Sequence, residues 1–183
     1  GELLGEYYVK RYGVDVRGLR YPGIISSETL PGGGTTDYAV AIFHAALAGE
    51  PYTCYLRADT VLPMMYMPDC ISATLQIMES DRPLRYPASY NLAAMSFDPA
   101  TLAAEIVKHV PGFTVRYEPD ARQAIADSWP AAIDDTPARE DWGWAPRYDL
   151  PMMTEHMLAT LADRGAGDDA GGRQRSTHRK GRT

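Results

Sequence analysis

The run Pro31-Gly32-Gly33-Gly34-Thr35-Thr36-Asp37-Tyr38-Ala39-Val40-Ala41-Ile42-Phe43-His44-Ala45-Ala46-Leu47-Ala48 decides the fold class. Its second part, Thr36 to Ala48, places apolar side chains at helical spacing; Thr35 or Thr36 is expected to cap it and Gly49 to end it. Upstream, Val14 to Arg20 (VDVRGLR) alternates like a strand and runs into Tyr21-Pro22-Gly23-Ile24-Ile25. Strand, glycine loop and amphipathic helix in succession make an α/β unit. Three consecutive glycines lose much backbone freedom on folding, so such a loop serves either a steep turn or a ligand. It matches neither G-x-x-x-x-G-K-[ST] nor G-x-G-x-x-G, the spacings that cradle nucleotide phosphates.

Working outward, Glu2 to Arg11 reads as a helix ending before Gly13. Short strands are expected at Tyr52–Leu56, Leu62–Met67, Ser89–Leu92 and Phe113–Tyr117. Helices are expected at Asp69–Met78 behind Pro68, at Ala121–Ala126, from Thr136-Pro137 to Gly143, and over Asp149–Leu161. Asp98-Pro99, a capping residue followed by proline at the first helical position, starts another that runs through His109. The alternation predicts an α/β class with a partly parallel sheet. From about residue 163 apolar periodicity stops, and 163–183 is expected to be a disordered basic tail.

The 183 residues suffice for one good core, and 45% apolar content with twelve tyrosines marks a globular chain. Net charge is -6; with six basic and three acidic side chains in 163–183, residues 1–162 carry -9. An acidic body lacks the basic face that nucleic acid requires. No stretch reaches the roughly 18 apolar residues of a membrane helix, so neither nucleic acid nor membrane is an expected partner. Cys54 and Cys70 read as buried thiols, and no histidine has metal-ligand spacing, so no metal is expected. The chain opens on Gly1 in what reads as mid-helix, and is expected to be part of something longer.

Three places are candidates for chemistry. Pro22, Gly23 and Ile24 follow the first strand, at the carboxyl end where α/β folds bind ligands, and a planar ring can lie against that backbone; the alternative is an ordinary strand-exit turn. Gly34, Thr35 and Thr36 offer amides and hydroxyls at a helix N-terminus, a seat for a carboxylate or phosphate, or else a capping turn that binds nothing. Trp129, before Pro130, is either a core plug or a lid, whereas Trp142 and Trp144 around Gly143 read as structural. No catalytic group stands out.

These residues carry a resemblance. Glu6-Tyr7-Tyr8, Tyr12 to Arg17, Arg20 to Ser26, Pro31 to Tyr38, Pro63 to Met67, Tyr90 to Phe97, Ile125 to Pro130 and Asp141-Trp142-Gly143-Trp144 resemble, in order, the C-terminal half of the L-threonine 3-dehydrogenases. These belong to the extended short-chain dehydrogenase (NAD-dependent epimerase/dehydratase) type. The resemblance covers about 1–162 and implies the C-terminal part of an extended Rossmann fold with a small substrate-binding α/β subdomain. It implies NAD-dependent oxidation of L-threonine to 2-amino-3-oxobutanoate. Pro22, Gly23 and Ile24 would then contact the cofactor, while Gly34, Thr35, Thr36 and Trp129 would hold the substrate. The family's catalytic Tyr-x-x-x-Lys does not occur here, since neither Lys10, Lys108 nor Lys180 has tyrosine four residues before it; it and the glycine-rich dinucleotide turn are expected upstream of Gly1. The 183 residues alone are therefore expected to be inactive. The resemblance also implies a homodimer pairing through the first helix, in the cytoplasm, or in the mitochondrion of an animal or protist. Two alternatives stand beside it: a non-catalytic truncated form or pseudoenzyme, and a relative of the sugar-nucleotide epimerases and dehydratases.

Overall fold

The computed structural model describes residues 1–177, with side chains described through Gly165. Residues 163–177 of the expected disordered tail instead continue the last helix beyond its expected end at Leu161, and the last six positions of that tail lie outside the described residues.

Helix α1 (Glu2–Tyr12) is closed by Gly13 and buries none of its residues; Leu3 and Leu4 are 85% and 60% exposed. Strand β1 (Leu19–Arg20) pairs in parallel with β5 (Tyr90–Asn91). The longer strand expected over 14–20 shrinks to two residues because β5 offers only two partners. Gly18 already lies against that neighbour, donating its N–H to the Pro87 carbonyl at 2.7 Å.

A second sheet is built from β2 (Gly23–Ile25), β4 (Leu62–Tyr66) and β6 (Met95–Phe97). β2 and β4 run parallel with Gly23 opposite Met64 and Ile25 opposite Tyr66; β6 joins β4 antiparallel. β3 (Tyr52–Cys54) and β7 (Val115–Tyr117) form a third, parallel pair. The mixed α/β architecture expected from the alternation is therefore present, with β6 as a strand not anticipated from the sequence.

α2 (Tyr38–Ala48), α3 (Met67–Glu79) and α4 (Pro99–His109) lie between strands along the chain, and α5 (Arg122–Ala126), α6 (Thr136–Trp142) and α7 (Leu150–Thr177) follow β7. Gly49 ends α2 at φ 71°, a left-handed conformation that favours glycine. Asp98 caps α4 by accepting the Thr101 N–H at 2.7 Å, as the Asp-Pro pair predicts.

The core has two parts. In the larger, α2, α4 and α7 pack together under the second sheet through Ile42, Phe43, Leu102, Ile106 and Met153. A fully buried side chain of this size contributes about 1.5–3 kcal/mol. The smaller gathers Met65, Ala73, Ile77, Tyr90, Trp142 and Trp144, confirming both tryptophans as packing residues. Buried Asp69 joins the two by accepting the N–H groups of Arg147 at 3.0 Å and Tyr148 at 3.1 Å. Cys54 and Cys70 are free and buried, as expected.

Candidate functional site

β1 delivers Tyr21 and Pro22 at its carboxyl end, and the chain turns there into β2. A cavity of about 530 Å³ opens at this turn, lined by Tyr21, Pro22, Gly23, Ile24, Thr36, Pro63, Trp129, Pro130 and Ile133. Three of the nine are prolines and none is charged. The Tyr21 hydroxyl lies 2.6 Å from Oγ1 of Thr74, and burial pushes its phenol above the usual value. Thr36 brings an aliphatic hydroxyl to the wall.

Gly23 and Thr36 occupy one another's space. A Cβ built on Gly23 would lie 2.7 Å from Cγ2 of Thr36 and 2.6 Å from Sδ of Met64, closer than atoms can approach. The glycine thus lets the helix-bearing loop close over β2, a steric role, since its φ is not in the left-handed region.

The loop itself is held by an internal carboxylate. Oδ2 of Asp37 accepts the N–H groups of Gly32 at 2.7 Å and Gly34 at 2.9 Å. Asp37, not Thr35 or Thr36, occupies the N-cap position of α2, and its side chain turns back to the glycines instead of capping the helix. The Gly34 carbonyl accepts the Tyr55 hydroxyl at 2.8 Å. An arrangement that the sequence offered to a ligand's carboxylate is occupied at two amides by the protein's own.

The opposite wall is bolted down from α5. Asp127, just beyond that helix, accepts two guanidinium hydrogen bonds from Arg57 at 2.8 and 3.1 Å. The Arg57 guanidinium, then the Gln123 amide, hold its carboxyl below the usual carboxylate range. Buried Gln123 bonds Asp127, Thr60 and the Arg57 N–H. Two residues on, Trp129 is 42% exposed and faces the cavity, so it is not a core plug.

Five of the seven residues singled out from sequence therefore share one cavity: Pro22, Gly23, Ile24, Thr36 and Trp129. Gly34 and Thr35 are not among its lining residues. Pro63 and Ile133, together with Asp37 and Tyr55 behind the loop, carry no local signal that marks them. Among the described residues no cluster of histidine, cysteine and carboxylates suits a metal, and no helix is long and apolar enough to cross a membrane.

The chain is similar over most of its length to proteins of known name. It is 56% identical over 158 residues to a mitochondrial L-threonine 3-dehydrogenase of Bos taurus, covering 86% of this chain and 42% of the relative. A solved GalE-like L-threonine dehydrogenase from Cupriavidus necator, in its holo form, is 59% identical with a TM-score of 0.84, over 87% of this chain and 52% of that one. Over that span the chain is homologous to proteins named L-threonine 3-dehydrogenase. An uncharacterized epimerase/dehydratase of Staphylococcus haemolyticus is 51% identical over 166 residues, covering 90% of this chain and 52% of the relative. No family model matches. The chain spans about half the length of these relatives, and the fold it shares with its solved relatives in the family is the extended short-chain dehydrogenase Rossmann fold.

Proposed function

We propose that this chain is the substrate-binding portion of an NAD-dependent L-threonine 3-dehydrogenase, and that the cavity at Pro22–Ile24 is where L-threonine meets the nicotinamide. The observation that carries this is the convergence of Pro22, Gly23, Ile24, Thr36 and Trp129 on one uncharged cleft at the carboxyl end of β1. Pro22 has no N–H to leave unsatisfied, and Pro22 and Ile24 offer a flat apolar wall, a chemistry that fits the face of a nicotinamide ring. Bound NAD would supply the acceptor for the hydride leaving C3 of L-threonine, the hydroxyl proton leaving separately, to give 2-amino-3-oxobutanoate, NADH and a proton.

Within this chain, Pro22 to Ile24 orient the ring, Thr36 offers its hydroxyl to the amino acid, and Trp129 with Pro130 and Ile133 shields the cleft from water. Gly34 and Thr35 shape the loop behind Thr36. No residue of the chain takes the catalytic base's role, which falls to the family's Tyr-x-x-x-Lys. A sugar-nucleotide substrate fits less well: a diphosphate calls for arginine or lysine, and none lines the cavity. Two copies would pair through α1, whose Leu3, Leu4, Tyr7 and Tyr8 are exposed. The compartment is the cytoplasm, or the mitochondrion in an animal or protist.

The test is Thr36→Val in the full-length protein. The Michaelis constant for L-threonine is expected to rise about fivefold to tenfold, the worth of one hydrogen bond, with NAD affinity within about twofold of wild type. Unchanged threonine kinetics would remove Thr36 from the binding site.

A further inference from the structure

Thr36 and Trp129 reach the cavity from segments almost a hundred residues apart, and one side chain touches the supports of both. Tyr55 follows β3 directly. Its hydroxyl donates to the Gly34 carbonyl in the glycine loop at 2.8 Å. The Arg122 guanidinium, at the start of α5, lies over its ring with Cζ 3.2 Å from the centroid. Asp120 orients that guanidinium through Nε at 3.0 and 3.1 Å, and the Asp120 N–H is itself bonded to the Tyr55 carbonyl at 3.2 Å.

We propose that Tyr55 is a positioning residue that couples the two walls of the cavity, its hydroxyl setting the loop that carries Thr36 and its ring setting, through Arg122, the helix that leads to Trp129. The two contacts use different parts of the side chain and can be removed separately. Burial pushes the phenol up to about 12, so it stays a protonated donor throughout the physiological range. A cation over an aromatic face is attracted by the ring quadrupole, and the contact survives when tyrosine becomes phenylalanine. α5 keeps its attachment when Tyr55 is altered, because Gln123 and the Arg57–Asp127 pair fasten it independently. Tyr55 variants are therefore expected to fold with the clasp loosened.

The experiment labels the full chain with 5-fluorotryptophan and records its fluorine spectrum, with three resonances and that of Trp129 assigned by Trp129→Phe. Arg122→Met and Tyr55→Leu are expected to move or broaden the Trp129 signal while those of Trp142 and Trp144 stay in place; Tyr55→Phe leaves all three in place. The double variant Tyr55→Leu/Arg122→Met should shift Trp129 no further than either single change. A Trp129 signal indifferent to Arg122→Met, or additive shifts in the double variant, overturns the coupling.

A kinetic arm rests on the functional proposal above. In the full-length protein Tyr55→Phe should raise the Michaelis constant for L-threonine about fivefold, the factor that one net hydrogen bond represents, with kcat retained. A fall in kcat at unchanged Michaelis constant would overturn the loop half of the clasp. If the wild-type protein does not oxidise L-threonine, the functional proposal falls while the fluorine spectra still decide the coupling.

Discussion

Replacing Gly23 with alanine adds one methyl group where the structure has no room for it. The new Cβ would sit 2.6 Å from Met64 Sδ, 2.7 Å from Thr36 Cγ2 and 3.2 Å from Thr36 Cβ. β2 cannot slide away, because Gly23 is held in register opposite Met64. The thioether sulfur lies on an unbranched, adaptable side chain and can give way at small cost. Thr36 cannot: it is branched at Cβ, stiff about χ1, and follows a loop pinned by Asp37 at Gly32 and Gly34.

Relief must therefore come largely from moving Thr36 and its loop. Overpacking of this kind costs about 1–3 kcal/mol. For a domain of this size that lowers the melting temperature by about 2–4 °C per kcal/mol. The assay is thermal unfolding followed by circular dichroism for Gly23→Ala, Thr36→Ser and the double variant. Serine keeps the hydroxyl and deletes Cγ2, so the double variant should recover most of the loss, with a coupling of about 1 kcal/mol or more. If Gly23→Ala melts with wild type, or if the double variant is only the sum of the singles, Gly23 is not making room for Thr36.

Two further predictions concern the supports of the site. Gln123→Ala strands the Arg57 N–H and the buried Thr60 hydroxyl, and should cost about 2–3 kcal/mol in urea unfolding; a loss under about 0.5 kcal/mol would show that water replaces the amide. Asp141 illustrates acid sensitivity: burial favours its neutral form, but the Tyr90 O–H and the Arg85 guanidinium outweigh that and hold its carboxyl below the usual range. A carboxyl depressed in the folded state stabilises above its unfolded value near pH 4, and that stability is lost as pH falls through the lower folded value. The gap in melting temperature between wild type and Asp141→Asn should accordingly narrow below about pH 4; a constant gap would contradict it.

The elements that could be read from the sequence are those whose signals are local. Asp98-Pro99 starts α4 and Gly49 stops α2, because capping and left-handed geometry involve only neighbouring residues. Strand lengths were not legible in the same way. Val14 to Arg20 alternates for seven residues, yet only Leu19 and Arg20 form a ladder, since β5 decides how much of the strand is paired. β6 is not legible locally because three residues show no period, and its partner β4 lies some thirty residues away.

The glycine loop shows the same limit within the site. Thr35, Thr36 and Asp37 are all capping residues, and nothing local ranks them. The ranking comes from the fold: Asp37 takes the cap position and spends its carboxylate on Gly32 and Gly34, while Thr36 alone is drawn to the cavity by the room at Gly23. Two amides that composition suggested for a ligand's carboxylate are thereby neutralised from within, and the nine lining residues contain no cation to take their place. A zwitterionic amino acid in this cavity would consequently be gripped here through its hydroxyl and its apolar surface. Its charged groups must then be met by residues outside these nine.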